Sequence, residues 1–169
     1  MATQAQPTTE REYYLAGFER EYQTTLRVLK AFPANQAKLK FADRSSTAIE
    51  IAWTLVTSQR VIEPILTVPK LEPQPQTPPA DFKELVSQFE KAHADVSQKL
   101  GKMTDATYNS TIIMPVGPGG ATAPIRRADA LWMMQSDTIH HRGQFSVYLR
   151  AAGAKVPSIY GPSGDEPWF

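Results

Sequence analysis

Apolar side chains recur at intervals of three and four residues in four separate segments of this 169-residue chain. That spacing places them along one face of an α-helix, and such a face must be buried against another element. The four predicted helices span roughly residues 9–32, 48–66, 81–103 and 124–152. No convincing series of strands accompanies them, so the sequence predicts an all-α fold.

Helix start and stop signals support these boundaries. Thr47 precedes the second segment and Glu50 follows three residues later, which is the pattern of a capping box. Pro33 comes directly after the first segment, and Gly153 stands just beyond the last one. Pro64 is expected to kink or fray the last turn of the second helix.

Two longer connections separate the helices. Residues 69–79 contain five of the fourteen prolines and are predicted to form an extended crossover loop. Residues 104–123 are glycine-rich and irregular, and proline confines the extended stretch 111–116 to an edge or a loop. The sequence therefore predicts one domain, residues 1–169. It is a four-helix bundle with crossover connections and a short irregular insert before the last helix.

Composition narrows the classes of function. The chain has 18 basic and 17 acidic residues and no long run of one charge, which argues against binding to nucleic acid. No apolar stretch has the length that spans a bilayer, and residues 1–10 lack the apolar region of a secretory signal. We therefore expect a cytoplasmic protein that is not inserted in a membrane. Since the sequence contains no cysteine, carboxylate, imidazole and hydroxyl groups are left for chemistry.

The strongest candidate site is a pair of polar residues on the last predicted helix. Asp137 and His141 are four residues apart, so their side chains lie one turn apart on one helix face. The same face carries Met134, Phe145 and Tyr148, and polar groups on an apolar face need a partner or a ligand. The pair can share one metal ion, or Asp137 can orient His141 for proton transfer. A hydrogen bond within the pair, or from Asp137 to a neighbouring helix, accounts for the spacing equally well.

The region around this pair and the start of the second helix match a known pattern. The matching segments are residues 44–53 (RSSTAIEIAW), 140–144 (HHRGQ), 148–150 (YLR), Gly153 and the tail 156–166 (VPSIYGPSGDE). Together they resemble the signature of the DinB-like (DinB/YfiT-type) superfamily of bacterial four-helix bundles. The resemblance extends over most of the chain, and its most specific part lies between residues 137 and 166.

The resemblance implies a divalent transition metal, Zn, Ni or Fe, held by three side chains. One is a histidine on the second helix directly after an Ala-Trp pair, and two come from the last helix with four-residue spacing. In this sequence the pair falls on Asp137 and His141, and the second-helix position falls on Thr54. A neutral hydroxyl is a poor ligand for a transition metal. The implied metal site at Asp137 and His141 therefore lacks its usual third ligand.

Three other residues are candidates to replace that ligand. Glu50 lies one turn before Thr54, although the capping box already gives it a role. His93 shares the apolar stripe of the third helix, where a hydrogen-bonded core histidine is the commoner case. His140 points about 100° away from His141 around the helix axis, toward solvent or a helix neighbour.

Residues beside the pair are further candidates for the lining of a pocket. Arg142 and Gln144 are placed to bind an anionic substrate or a partner, and a solvated helix face or structural bonds to the tail explain them equally well. Trp53, next to Thr54, is either a cavity wall or a core residue. The aromatic residues of the tail, 156–169, indicate that it packs onto the bundle or onto a partner.

Two functions from different classes fit this sequence. By resemblance, the first is a metal-dependent thiol transferase or hydrolase-type enzyme that acts on a small thiol or another small molecule. The second is a metal-free, degenerate member of the superfamily that acts as a binding or stress-associated module. The resemblance also implies a homodimer. Metal binding at Asp137 and His141 distinguishes the two functions.

Overall fold

The computed structural model describes residues 6–72 and 74–169. Within them the elements are α1 (Glu10–Lys30), α2 (Ala48–Arg60), α3 (Ile62–Thr67), α4 (Phe82–Gly101), α5 (Asp105–Asn109), β1 (Thr111–Pro115), β2 (Thr122–Arg126) and α6 (Arg127–Ala151). Helices α1, α2, α4 and α6 pack together as a four-helix bundle, which confirms the predicted fold class. In the described part of the chain, no helix combines the length and the hydrophobicity that crossing a bilayer requires.

Local capping fixes where the first three predicted helices begin. Thr9 and Thr47 are the N-caps of α1 and α2, and each side chain accepts a hydrogen bond from the backbone N–H three residues later. Glu12 and Glu50 accept from the backbone N–H of these caps in return, which completes a capping box on both helices. The side chain of Asp81 caps α4 in the simpler way. The predicted starts of these helices are therefore confirmed.

The second predicted helix, residues 48–66, is interrupted. Helix α2 ends at Arg60 and α3 begins at Ile62, so the break lies at Val61. Pro64 causes it, because it has no N–H to donate to the carbonyl of Arg60 four residues earlier and its ring crowds that carbonyl. The prediction placed the effect of Pro64 in the last turn of one continuous helix, and this was wrong by about one turn.

Helices α2 and α6 run antiparallel along the whole bundle. Near one end the hydroxyl of Tyr148 donates to the carbonyl of Ser46 at 2.6 Å. Near the other end the buried guanidinium of Arg127 donates to the carbonyls of Ile65 and Val68, at the end of α3. Along the bundle axis, higher residue numbers on α2 therefore correspond to lower residue numbers on α6.

Residues 111–126 form an antiparallel hairpin, so the prediction of an irregular insert was wrong. Strands β1 and β2 pair from Thr111 opposite Arg126 to Pro115 opposite Thr122. The other edge of β1 is also paired, because the N–H of Ile113 donates to the carbonyl of residue 69 at 3.0 Å and its carbonyl accepts from residue 71 at 2.7 Å. The hairpin is thereby held against residues 69–71, at the start of the proline-rich segment.

The hairpin also explains why the last helix starts later than predicted. Helix α6 begins at Arg127 because Pro124, the expected start, belongs to β2. Pro124 lies opposite Ile113, whose N–H and carbonyl both point away from β2, toward residues 69–71. At such a pair a proline has no ladder hydrogen bond to lose. Proline in this position of a strand and proline in the first turn of a helix give the same signal in the sequence.

The core consists of two apolar clusters with a layer of buried polar side chains between them. One cluster surrounds Tyr14 and Leu131, and the other surrounds Phe145. We call the group between them the polar layer; its members are Glu21, Thr25, Ser58, Gln59, Gln135, Thr138 and Arg142. Asp137 and His141 occupy the same stretch of α6, so the candidate site lies where the interior is polar.

Candidate functional site

The two polar residues predicted from their spacing contact each other. Oδ1 of Asp137 lies 3.3 Å from Nε2 of His141, one turn later on α6. Both side chains are half-buried, with 41% of Asp137 and 23% of His141 exposed. The buried stripe of α6 passes beside them through Thr138 and Arg142. Asp137 and His141 therefore lie at the edge of the polar layer, where a small molecule can reach them.

Two neutral side chains extend this contact in both directions. The hydroxyl of Ser58 on α2 donates to Oδ2 of Asp137 at 2.8 Å. At the other end, Oε1 of Gln144 lies 2.9 Å from Nδ1 of His141. We call Ser58, Asp137, His141 and Gln144 the polar row. It joins α2 to α6 at the level of the polar layer.

The polar row constrains where protons are held. When Nδ1 of His141 donates to Oε1 of Gln144, a neutral imidazole has its lone pair on Nε2, facing the Asp137 carboxylate. In that tautomer two acceptors face each other, and a proton or a cation between them would satisfy both. The Ser58 hydroxyl contacts the carboxylate and not the imidazole, so the row is not the arrangement that activates a serine nucleophile. The row is suited to exchanging a proton at His141 or to holding a cation.

Thr54 lies at the level of His141. Ser58 contacts Asp137, and α2 and α6 are antiparallel. Thr54, one turn before Ser58 on α2, therefore lies level with the residue one turn after Asp137 on α6, which is His141. The Thr54 hydroxyl is engaged within its own helix, where it donates to the carbonyl of Ile51 at 2.7 Å. The position that the resemblance assigns to a histidine thus lies at the same level of the bundle as His141, and the Thr54 hydroxyl donates within its own helix.

The donor set does not fit the three-ligand metal centre that the resemblance implies. Nε2 of His141 and Oδ1 of Asp137 are 3.3 Å apart. One tetrahedral ion with bonds of about 2.1 Å spans such a separation. Within residues 6–72 and 74–169, however, no third His, Cys, Asp or Glu lies close enough to complete a metal-binding group. The remaining oxygens are the hydroxyls of Thr54 and Ser58, and neutral hydroxyls hold transition metals weakly.

Glu50, His93 and His140, the three candidates to replace the missing ligand, do not complete a metal-binding group with the residues that the structure describes. Glu50 remains in the capping box of α2. His93 is buried on α4, where its ring stacks on Tyr22 with 3.4 Å between centroids and its Nε2 lies 2.9 Å from Glu19. Burial lowers the pKa of His93, and the hydrogen bond to Glu19 offsets part of that effect. His140 is exposed beside His141.

Arg142 is in the interior and is not exposed to a substrate. Its side chain is 1% exposed, and Nη1 lies 2.7 Å from Oε2 of Glu21 on α1. It also donates to the hydroxyls of Thr25 at 3.1 Å and of Tyr160 at 2.7 Å. Tyr160 donates in turn to Glu21 at 2.7 Å, so these residues fasten the C-terminal tail to the bundle. Of the interpretations that the sequence allowed for Arg142, the structure shows the hydrogen bond to the tail.

Trp53 is buried beneath an arginine. The guanidinium carbon of Arg60 lies 5.0 Å from the centre of the Trp53 ring. The indole N–H donates to the carbonyl of Gln76 at 3.2 Å, and Arg60 donates to Oε1 of Gln76 at 2.8 Å and of Gln88 at 2.7 Å. Gln76 is thereby fixed against α2, and Arg60 links it to Gln88 on α4.

A cavity of about 530 Å³ lies next to the polar row. Its mainly apolar lining includes Val61 at the break between α2 and α3, Leu71, Gln74, Met114 on β1 and Met134 on α6. Ser58 also lines this cavity, while its hydroxyl donates to Asp137. Ser58 therefore connects the polar row to the lining of this cavity.

The sequence analysis did not identify Ser58, Arg60 or the cavity. A signal for Ser58 was present, because it follows Thr54 by four residues and lies on the same face of α2. Arg60 carries no comparable signal, since an arginine near a helix end is explained by the helix dipole. The cavity depends on Leu71, Gln76 and Met114, whose approach to α2 is a property of the tertiary structure.

Comparison with known proteins identifies the family of this chain. A family model described as the DinB family matches residues 1–167. The chain belongs to the DinB family. The resemblance of its sequence to that family is confirmed. Uncharacterized protein YrdA of Bacillus subtilis (strain 168) is 26% identical over 159 residues, which cover 92% of this chain and 90% of YrdA.

Solved structures share the fold of this DinB-family chain. A DinB-like protein from Bacillus cereus superimposes with a TM-score of 0.73 at 23% identity, covering 88% of this chain and 97% of that one. YfiT from Bacillus subtilis gives a TM-score of 0.65 at 13% identity, covering 92% and 94%. YfiT is described as a probable metal-dependent hydrolase with an unusual four-helix bundle topology. At these identities the similarity establishes the fold alone.

Proposed function

We propose that this DinB-family protein is a binding module for a small organic molecule, which occupies the cavity beside the polar row without a resident transition metal. The observation that carries the proposal is the double role of Ser58. This residue lines the cavity and donates to Asp137 at 2.8 Å. A molecule in the cavity thus reaches the polar row through one shared hydroxyl.

The size and the lining of the cavity support this proposal. Its volume of about 530 Å³ lies within the range of small-molecule sites, roughly 300–1,000 Å³. An apolar lining supplies binding energy by removing the ligand from water, and a few polar groups fix its orientation. Here the Ser58 hydroxyl is one such polar group, and its bond to Asp137 holds it in place.

Methionine methyl groups allow a direct test. Met114 and Met134 line the cavity, whereas Met103 is buried in the core and Met133 is exposed on α6. Titration of ¹³C-methyl-methionine protein with hexanamide, a neutral apolar probe, should shift the signals of Met114 and Met134 and leave the other two unchanged. Saturation of the shifts gives the Kd.

Two matched variants complete this test. Val61→Phe adds an aromatic ring to the cavity lining and should abolish the shifts, because the ring occupies the ligand's volume. Ala42→Phe adds the same ring at an exposed loop residue and should bind as wild type does. Shifts that persist in Val61→Phe, or that are absent from wild type, argue against the cavity as the binding site.

A metal-dependent enzyme is the second candidate function. It is favoured by the convergence of Nε2 of His141 and Oδ1 of Asp137, and by the description of the structurally similar YfiT. Its substrate is then expected to be a small thiol or another small molecule. Stoichiometric metal that is lost together with activity in Asp137→Ala supports this function and refutes the metal-free module.

We further propose that the protein forms a homodimer. Support comes from the outer face of α6, where the apolar side chains of Met133 and Val147 are 44% and 55% exposed and the fully exposed residues between them are the uncharged Ser136, His140, Gly143 and Gln144. Exposed apolar side chains on a helix face with little charge are compatible with pairing to a second copy of that face. Sedimentation equilibrium should give twice the 18.8 kDa of the chain, and a mass of one chain refutes the dimer.

A further inference from the structure

We infer that the ligand of the cavity is a small carboxylic acid with an apolar body, and that Arg60 binds its carboxylate. The inference rests on the proposed function, because it names the ligand class of the same cavity. It adds a specificity-determining residue, Arg60, that lies at the side of the cavity away from the polar row.

The charge of Arg60 is not neutralised by the protein. Within the described residues no carboxylate oxygen lies within 4.0 Å of its guanidinium, and both of its hydrogen-bond acceptors are neutral glutamine side chains. Acidic residues nearby have other partners. Glu63 pairs with Lys99, and Glu72 at the cavity pairs with Lys70 at 3.3 Å. A half-buried cation of this kind is a binding site for an anion.

The guanidinium is also held in a fixed position. It lies over the Trp53 ring, and hydrogen bonds to Gln76 and Gln88 fix it on two sides. An arginine side chain has five N–H donors, and these two bonds leave three for a ligand. Because the side chain is already ordered, little conformational entropy is lost when an anion binds.

Helix geometry places Arg60 and Ser58 at opposite ends of the cavity. Successive residues of an α-helix are about 100° apart around its axis, so Arg60 lies about 200° after Ser58. Measured the other way, across the face that carries Val61, the two are separated by roughly 160°. All three line the cavity, and the apolar side chain of Met134 lies there as well. A ligand that spans the cavity therefore meets a cation at one end, apolar contacts along its body and the polar row at the other end.

One guanidinium and an apolar lining select a particular chemistry. A carboxylate carries a single negative charge and binds an arginine through two oxygens, which matches one cation. A neutral molecule has no charge to pair with that of Arg60. Glu72, which also lines the cavity, disfavours more highly charged anions, and Lys70 offsets part of its repulsion.

The test compares hexanoate with hexanamide, which has the same shape but no charge. Binding is followed through the methyl signals of Met114 and Met134. Wild type should bind hexanoate at least about tenfold more tightly than hexanamide, as expected for a hydrogen bond to a charged group. Arg60→Gln should abolish this preference, so that this variant binds the two probes with similar affinity. Arg44→Gln, which removes the same charge from an exposed loop residue, should retain the preference.

The outcomes separate this inference from the proposed function. Equal binding of the two probes to wild type, or a preference that survives in Arg60→Gln, overturns the role of Arg60 and leaves the cavity as a site. Binding of neither probe refutes the proposed function as well. If Arg60→Gln does not fold, salt dependence in wild type decides the matter. Hexanoate binding should weaken with added NaCl while hexanamide binding does not, and salt-insensitive hexanoate binding overturns the inference.

Discussion

Replacing Arg142 with methionine should destabilise the protein more than any ordinary change of a surface charge. The Arg142 side chain is 1% exposed and that of its partner Glu21 is 7% exposed, so both charges are removed from water. Methionine retains much of the aliphatic packing but leaves the Glu21 carboxylate buried with the Tyr160 hydroxyl as its hydrogen-bond donor and the exposed Arg20 guanidinium 3.9 Å away.

Breaking a buried ion pair by removing one partner costs roughly 3–5 kcal/mol. For a domain of this length each kcal/mol lowers Tm by roughly 2–4 °C, so Arg142→Met should lower Tm by about 6–20 °C. Urea unfolding followed by circular dichroism at 222 nm measures the free energy directly. Removing both charges, in Glu21→Leu combined with Arg142→Met, should cost less than the sum of the single changes, because no unpaired charge then remains.

Arg27→Met is the matched control. Arg27 pairs with Glu166 at the same distance, 2.7 Å, but the two side chains are 54% and 45% exposed. Exposed pairs contribute roughly 0–1 kcal/mol. If Arg142→Met costs no more than Arg27→Met, burial of the Arg142–Glu21 pair does not have the energetic consequence argued from the structure.

Three further predictions concern stability. Tyr160→Phe removes a hydroxyl bonded to two charged groups and should cost roughly 1–3 kcal/mol in urea unfolding; an unchanged midpoint argues against the tail contact. Thr47→Ala removes the N-cap of α2 and should lower the free energy of unfolding by about 1 kcal/mol. A loss of no more than a few tenths of a kcal/mol contradicts the capping box. The pKa of His93 is lowered from 6.5 by burial, so the folded state favours the neutral ring and stability should fall as the pH drops below about 6.5. His93→Phe, which keeps the stack on Tyr22, should lose less stability than wild type between about pH 7.5 and pH 5.5; equal losses in the two proteins exclude this role.

Local signals explain which helices could be predicted. The starts of α1, α2 and α4 depend on Thr9, Thr47 and Asp81, whose side chains act on amides two or three residues away. Such contacts are contained in a short stretch of sequence. The hairpin could not be predicted in this way, because its strand β1 is stabilised by residues 69–71, about forty positions earlier. Pro124 then gave a signal that a helix and a strand share.

The candidate site was predictable in part for a similar reason. Asp137 and His141 lie on one helix, and their four-residue spacing sufficed to place them in contact. Ser58 comes from another helix, and only the antiparallel packing of α2 on α6 brings it to Asp137. Arg142 was considered as a residue beside the site, but it follows Leu131 by eleven residues, about three helical turns, and therefore shares the buried stripe of α6.

The metal content of the purified protein tests the nature of this site most directly. Elemental analysis of protein prepared without added metal should find well below one divalent transition-metal ion per chain, because Asp137 and His141 have no third strong ligand among the described residues. Thr54→His restores an imidazole at the level of His141 and should raise the content toward one ion per chain. A stoichiometric metal in wild type that is lost in Asp137→Ala contradicts this account and makes the metal-dependent enzyme the better description of the protein.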